Sequence, residues 1–142
     1  MAWEKINAAA RELKKMKISY KMEQHEEQTE LRIPCSGKNG WHYTIRLIGN
    51  ESAGVMGLYA YCLFSDVPLR KCRQLLPLLN DLNGRYRFFR FYFDADGDVN
   101  AAYDFPDHSP APEKGVVEGI LRMKNVLRDV YPELKAALES VE

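Results

Sequence analysis

The stretch WHYTIRL at residues 41–47 decides the fold class of this chain. Apolar and polar side chains alternate along it, and a period of two places the apolar ones on one face of a β-strand. After a turn at residues 49–52 comes VMGLYAYCLF, residues 55–64, which is apolar at consecutive positions. Such a run predicts a central strand that is covered on both faces. The two strands follow each other through a short turn, which predicts an antiparallel pair.

Further segments with the same alternation extend the sheet, at residues 20–24, 29–33, 89–93 and 99–105. The turn DADGD at residues 94–98 joins the last two as a hairpin, and GKNG at residues 37–40 joins the second strand to the third. Pro34 is expected to end the pairing of the second strand, because its nitrogen carries no hydrogen for the ladder.

Apolar residues at intervals of three and four predict three helices that each bury one stripe. They lie at about residues 2–17, 66–83 and 116–130. Ser65 or Asp66 is expected to cap the second helix, and Tyr131-Pro132 to break or bend the third. The order helix, four strands, helix, two strands, helix predicts an α+β protein, in which helices pack on a single antiparallel β-sheet.

The composition is that of an ordinary globular protein. A length of 142 residues predicts a single domain over residues 1–142. Lys and Arg number 20, as do Asp and Glu, so the formal net charge is zero. This disfavours nucleic-acid wrapping and binding to an acidic membrane. An odd set of three cysteines disfavours a disulfide framework. No apolar run approaches the roughly 20 residues of a membrane span, and no signal peptide is expected. We therefore expect a soluble cytoplasmic protein.

Alternating carboxylates at residues 94–98 resemble part of a calcium-binding loop. That loop requires glycine at its sixth position and glutamate at its twelfth. Here Gly97 is fourth and Phe105 is twelfth, so we predict a β-turn and no metal site.

The cysteines and histidines lack the close spacing of zinc ligands. Cys62 and Cys72 fall on predicted apolar faces and are expected to act as small hydrophobic residues. That leaves Cys35, beside a turn, as the only candidate nucleophile. No G-x-S-x-G motif, phosphate loop or dinucleotide-binding unit is present in the sequence. The sequence therefore predicts no catalytic residue, no metal and no cofactor.

Three motifs carry a family resemblance: LNDLN at residues 79–83, FRFYFDADGDV at 89–99 and YPEL at 131–134. With these motifs the chain resembles the YbjN family of bacterial sensory transduction regulators, whose fold is similar to that of type III secretion chaperones. The resemblance implies a YbjN-like, secretion-chaperone-like domain with a regulatory role. Secretion chaperones of this fold typically dimerise and bind an extended segment of a client protein.

We interpret the chain as a non-catalytic bacterial module for protein–protein interaction, regulatory or chaperone-like. Apolar side chains of the sheet and a free strand edge would hold an extended polypeptide. The sheet carries more apolar side chains than one face needs, so the first and third helices cover the rest or a second copy does, as a homodimer. The candidate contact residues are Trp41, Tyr43, Tyr59, Tyr61 and Tyr92.

Two alternatives stay open. In the first, the chain is a small-molecule-binding domain or an enzyme, and Cys35, His42 and Arg46 cluster around a pocket between sheet and helix. In the second, the chain binds nucleic acid through three arginines with interleaved aromatic residues, Arg85, Arg87 and Arg90. An RNA-recognition strand needs glycines that are missing here, which disfavours this alternative. Neither the partner, the oligomeric state nor the regulatory pathway follows from the sequence.

Overall fold

A computed structural model describes residues 4–37, 40–106 and 112–140 of the chain. In chain order the elements are α1 (Glu4–Lys15), β1 (Lys21–Gln24), β2 (Thr29–Ser36), β3 (His42–Asn50), β4 (Val55–Phe64), α2 (Leu69–Arg85), β5 (Arg90–Phe93), β6 (Val99–Pro106) and α3 (Pro112–Glu139). The strands form one sheet in the order β1-β2-β3-β4-β6-β5, and all neighbours are antiparallel. The predicted α+β class, single antiparallel sheet and element order are confirmed. Of the predicted turn at residues 37–40, Lys38 and Asn39 lie outside the described residues.

One face of the sheet carries the hydrophobic core. Leu47 of β3 and Leu58 of β4 stand opposite each other and are fully buried. Helix α1 adds Ile6 and Leu13, which share one buried stripe because they are seven residues apart. Helix α3 lies close to β4, since a Cβ atom at Gly119 would come within 2.9 Å of Leu58 Cδ1. Helix α2 adds Leu75, Leu79 and Leu82.

No helix among the described residues packs on the opposite face of the sheet, which we call the open face. Its side chains include those of Lys21, Glu23, Glu30, Arg32, Arg46, Tyr59, Tyr61, Arg90, Tyr92, Ala102 and Asp104. The expectation that β4 is covered on both faces is wrong, because its Tyr59 and Tyr61 stand half-buried on the open face. Tyrosine was counted as an apolar residue in the sequence pattern, but its hydroxyl allows the ring to lie at a solvent-exposed surface.

Strand β2 continues through Pro34 to Ser36, contrary to the expected stop. The Gly37 N–H donates to the Trp41 carbonyl at 2.6 Å. Because hydrogen-bonded pairs alternate along an antiparallel ladder, the backbone N–H and carbonyl groups of the odd-numbered β2 residues point toward β3. The nitrogen of Pro34 points the other way, beyond Arg32, which is the last β2 residue paired with β1. On that flank β2 is an edge, where proline removes no ladder hydrogen bond.

Helix α2 begins later than expected, with Pro68 at its N-cap and no side-chain hydrogen bond at that end. Neither Ser65 nor Asp66 is the cap. Asp66 instead adopts a left-handed φ of 55°, and its N–H donates to the Asp98 carboxylate at 3.0 Å.

Helix α3 runs from Pro112 to Glu139 without the predicted break at Pro132. Val130 and Leu134, on either side of the proline, are both fully buried. Their burial in the core offsets the cost of the one backbone hydrogen bond that proline removes.

Candidate protein-binding face

Strand register brings the open-face side chains into rows across the sheet. Along one row Arg46 of β3 stands opposite Tyr59 of β4, which stands opposite Ala102 of β6. Ala102 in turn stands opposite Arg90 of β5. Because Ala102 is small, the longer side chains beside it can lean across the strand between them. The row therefore joins residues from four strands into one surface.

Tyr59 and Tyr61 form a parallel ring pair at the centre of this surface. Their centroids are 5.6 Å apart and their planes differ by 8°. The Tyr59 hydroxyl donates to the Asp104 carboxylate. To reach it the ring passes over Gly57, where any Cβ atom would overlap the hydroxyl. Burial, and then the hydrogen bond to Asp104, raise the pKa of Tyr59, and burial also raises the pKa of Tyr61. Both hydroxyls therefore stay protonated at neutral pH.

A buried carboxylate holds the arginines beside the tyrosines. Glu30 is only 3% exposed, and it accepts from Arg32 Nε at 2.9 Å. Its Oε2 also lies 3.4 Å from Arg46 Nη1. The Arg46 guanidinium lies over the Tyr61 ring, 5.5 Å from its centroid. A buried carboxylate needs such partners, because an unpaired charge away from water is costly.

The same arrangement recurs on the β5 side of the open face. Arg90 Nη1 donates to Asp104 at 2.9 Å, and the guanidinium lies 5.4 Å from the centroid of the Tyr92 ring. Asp104 thus accepts from Tyr59 and from Arg90 at once. Each half of the face therefore combines a carboxylate, an arginine and a tyrosine.

This geometry favours contact with another polypeptide over the stacking of bases. The Tyr61 ring is paired with the Tyr59 ring, and the Arg46 guanidinium lies over it, so both groups would compete with a base for the faces of this ring. Base recognition on an open sheet needs free ring faces. Tyrosine and arginine are also the side chains that contribute most often to protein–protein binding energy.

The structure does not bring the five predicted contact residues together. Tyr59, Tyr61 and Tyr92 share the open face, whereas Trp41 and Tyr43 lie on the helix-covered side. Two contacts of Trp41 place it there: it stacks on Tyr131 of α3, with centroids 4.1 Å apart, and it lies 4.7 Å from the Tyr43 ring. Burial raises the pKa of Tyr43. Trp41 and Tyr43 therefore serve the packing of α3 against the sheet.

Cys35, His42 and Arg46 do not surround a common cavity. Cys35 is buried on the helix-covered side, where burial raises the pKa of its thiol. Arg46 projects from the open face. His42 is exposed, and its Nδ1 lies 3.2 Å from the Ser36 hydroxyl. The sheet separates the thiol from the guanidinium, so these three residues cannot act on one substrate.

The three arginines of the nucleic-acid alternative do not form one basic surface. Arg85 binds Asp81 at 2.9 Å and Glu133 of α3 at 2.8 Å. Arg90 lies on the open face with Asp104, and Arg87 is exposed in the segment before β5. Two of the three charges are thus neutralised, on different sides of the molecule.

The segment at residues 94–98 is a turn, as predicted, closed by the Gly97 N–H donating to the Asp94 carbonyl at 3.1 Å. The Asp94 carboxylate accepts from the Asp96 and Asp98 N–H groups at 2.9 and 3.1 Å, and from Asn100 Nδ2 at 2.9 Å. The Asn100 bond, followed by the backbone donors, lowers the pKa of Asp94. Carboxylate oxygens of Asp94, Asp96 and Asp98 come within 4.8 Å of one another. Backbone and amide donors orient Asp94 as a turn residue requires.

Asn100 links this turn to the central strand. It is only 1% exposed, and its Oδ1 accepts from the Cys62 N–H at 2.8 Å. Cys62 has a left-handed φ of 57° at the irregularity between β4 and β6. Cys62 was expected on an apolar face, but its side chain is exposed and its thiol donates to the Asp98 carboxylate at 3.4 Å. The turn therefore has a structural role in holding the strained end of β4.

Sequence reasoning missed the charged residues Glu30, Arg32 and Asp104. Glu30 and Arg32 sit two apart in a strand and share a face, which is a signal the sequence does contain. Their connection to Tyr61, and that of Asp104 to Tyr59, depends on register between strands that are distant in the chain.

The comparisons with known proteins support the family resemblance. No curated protein matches the chain. None of the described helices is both long enough and apolar enough to cross a membrane. Residues 16–123 match the YbjN family, which carries the description "Putative bacterial sensory transduction regulator". The matched range covers well over half of the chain and includes all six strands and α2. The chain therefore belongs to the YbjN family.

Proposed function

We propose that this protein is a non-catalytic regulatory module of the bacterial cytoplasm that binds a polypeptide partner through the open face of its sheet. Residues 1–142 act as one domain with a secretion-chaperone-like fold, and self-association as a homodimer is part of the proposal. The family description supports the regulatory role. No catalytic residue, metal or cofactor enters the proposal.

The observation that carries the proposal is the composition of the open face. Tyr59 and Tyr61 stand between Arg46 and Arg90, and Tyr92 lies beside Arg90 on β5, on a surface that the described helices leave uncovered. Interfaces concentrate their binding energy in such residues, because tyrosine and arginine combine apolar area with hydrogen-bonding groups.

The charge balance of the open face indicates the chemistry of the partner. Arg46 and Arg90 are already paired with Glu30 and Asp104. A highly charged partner would have to break these pairs, so the face suits a polar segment of low net charge. The Tyr61 and Tyr92 hydroxyls would donate to its backbone carbonyls, and the aromatic edges would contact its apolar side chains.

The test compares two double variants in affinity capture from the native cell with quantitative mass spectrometry. Tyr61→Ser with Tyr92→Ser removes two open-face rings whose hydroxyls make no side-chain hydrogen bond to any residue that the structure describes. The matched control, Leu69→Ser with Leu76→Ser, changes two side chains of α2 that are 68% and 54% exposed. We expect at least one partner that the wild type and the control retain and the open-face variant loses.

Four results would count against this proposal. Equal capture by both variants would place the contact elsewhere, and loss with the α2 variant alone would move it to the helical side. Co-purification of a tightly bound metabolite without a protein partner would favour the small-molecule alternative. Salt-sensitive affinity for RNA or DNA would favour nucleic-acid binding.

A further inference from the structure

The sheet has two edges, β1 and β5, and α2 occupies one of them. The Phe91 N–H donates to Asn83 Oδ1 at 2.7 Å, and Asn83 Nδ2 donates to the Phe91 carbonyl at 3.2 Å. The Asn83 amide thus takes the hydrogen bonds that another strand would make at the centre of β5. Such a cover is one way in which proteins protect a sheet edge. The β1 edge has no comparable cover among the described residues.

The β1–β2 hairpin determines which backbone groups of β1 point outward. The His25 N–H donates to the Gln28 carbonyl at 2.8 Å, which marks the first hydrogen-bonded pair after the turn. Alternation along an antiparallel ladder makes Glu23 and Lys21 the next residues bonded to β2. The N–H and carbonyl groups of Met22 therefore point away from the sheet.

Like charges face each other across the β1–β2 pair. Lys21 stands opposite Arg32, and Glu23 stands opposite Glu30, all on the open face. Directly opposed like charges destabilise a strand pair. Arg32 Nη2 offsets part of this repulsion by lying 3.1 Å from Glu23 Oε2. Lys21 has no ion pair within the described part of the chain. His25 Nε2 also lies 3.6 Å from Glu23 Oε2. At this edge the open face therefore presents one positive and one negative side chain, and each would be stabilised by an opposite charge on an added strand.

We infer that β1 pairs antiparallel with β1 of a second copy of this chain, with Met22 opposite Met22 of the partner subunit. In this register the two outward-pointing Met22 residues exchange both backbone hydrogen bonds. Lys21 then stands opposite Glu23 of the partner subunit, twice by symmetry. These flanking positions are non-hydrogen-bonded pairs, in which side chains are closest, with Cα atoms about 4.5 Å apart.

Charge selects this register over its neighbours. A shift of two residues in one direction would place Lys21 against Lys21, and in the other direction Glu23 against Glu23. A shift of one residue would set outward-pointing backbone groups against groups already bonded to β2. Among these registers, pairing centred on Met22 is the one that satisfies both the backbone and the charges.

The pairing would also bury apolar surface and extend the open face. Met22 is 40% exposed, and the two methionine side chains would meet on the helix-covered side. A two-fold axis perpendicular to the sheet keeps both open faces on the same side, so two six-stranded sheets become one continuous surface. This inference deepens the homodimer named in the proposed function. It uses the β1 edge and not the open-face tyrosines, so it can fail while partner binding through the open face still holds.

Charge reversal tests the register by sedimentation equilibrium of the full chain at low salt. We expect the wild type to form a reversible dimer. Lys21→Glu alone and Glu23→Lys alone should each weaken dimerisation roughly tenfold or more, because attraction becomes repulsion at two symmetric positions. The double variant Lys21→Glu with Glu23→Lys should restore it. Lys114→Glu, at an exposed site on α3, is the control and should leave dimerisation unchanged.

The single reversals should not misfold, since Lys21→Glu places a carboxylate opposite Arg32 and Glu23→Lys places an ammonium group opposite Glu30. Circular dichroism checks this. A wild type that stays monomeric up to its solubility limit overturns the inference. So does a dimer that the single reversals leave intact, or a double variant that remains as weak as the singles. Met22→Pro, which removes an outward N–H, should abolish the dimer while leaving the open-face partner bound.

Discussion

The two faces of strand β4 hold their side chains by different means. Leu58 and Ala60, on the covered face, are fully buried in the apolar core. Tyr59 and Tyr61, on the open face, are half-buried and are held by a hydrogen bond, a ring pair and a guanidinium. Burial of apolar surface is non-directional and stabilises the folded state strongly, whereas exposed polar contacts exchange with water at little net cost. One strand can therefore carry stability on one face and recognition on the other.

The largest expected effect comes from truncating the covered face. Leu58→Ala should lower the free energy of unfolding by about 2–5 kcal/mol, because it removes buried methyl groups and leaves a cavity beside α3. Tyr61→Ser, three residues along on the open face, should cost only about 1 kcal/mol. Urea denaturation of both variants measures the difference. Equal losses would mean that the open face is as important for stability as the core.

Asn100 extends the comparison between buried apolar and exposed polar contacts, because it is a polar residue that is as buried as the core. Asn100→Ala should lower the free energy of unfolding by about 1–3 kcal/mol, since the Cys62 N–H loses its acceptor away from water. The matched control is Asn83→Ala, which also removes two hydrogen bonds. Asn83 is exposed, so water can replace its contacts and the loss should be smaller, about 0.5–1.5 kcal/mol. A larger loss for Asn83 would contradict burial as the deciding factor.

Alternation along single strands was enough to predict the fold class but not all of the candidate face. Trp41 and Tyr43 have the same parity as Ile45 and Leu47, so their place on the covered side was already implied by the period of two. The same period placed Tyr59 on the face opposite Leu58, where the structure has it. Its bond to Asp104 joins residues 45 apart in the chain, and such a contact depends on strand order and register.

Strands and helices usually stop or bend at proline, but β2 and α3 both continue through one because of their tertiary surroundings. Pro34 and Pro132 each remove a backbone donor, and sequence reasoning expected the first to stop the pairing of β2 and the second to break or bend α3. Pro34 directs its nitrogen toward an unpaired flank, which is a property of the sheet. Pro132 lies between two residues buried in the core, which is a property of the packing. Neither condition can be read from neighbouring residues.

Acid should weaken the turn that supports the open face. The pKa of Asp94 is lowered in the folded state, chiefly by Asn100, so the folded chain binds this proton less readily than the unfolded chain. Its contribution to stability is present above about pH 4 and is lost as the pH falls through the lowered pKa. The loss of unfolding free energy between about pH 7 and pH 3 should therefore be smaller in Asn100→Ala than in the wild type. An unchanged loss would show that Asp94 does not depend on Asn100.

The smallest expected effect tests the open face itself, at alkaline pH. Burial and Asp104 raise the pKa of Tyr59, so the folded state keeps this proton more tightly than the unfolded state. The resulting stability is present below about pH 10 and is lost as the pH rises above it. Tyr59→Phe should cost about 1 kcal/mol or less at neutral pH, and it should flatten the decline in unfolding free energy above about pH 10.

Gly57→Ala provides the matched variant for this test, because its Cβ atom would displace the Tyr59 hydroxyl from Asp104 without removing it. Absorbance titration of the phenolate groups should then show one tyrosine titrating closer to its ordinary pKa than in the wild type. Tyr61 also has a raised pKa, so Tyr61→Phe separates its share of the alkaline decline. If Gly57→Ala leaves the titration unchanged, burial alone determines the pKa of Tyr59.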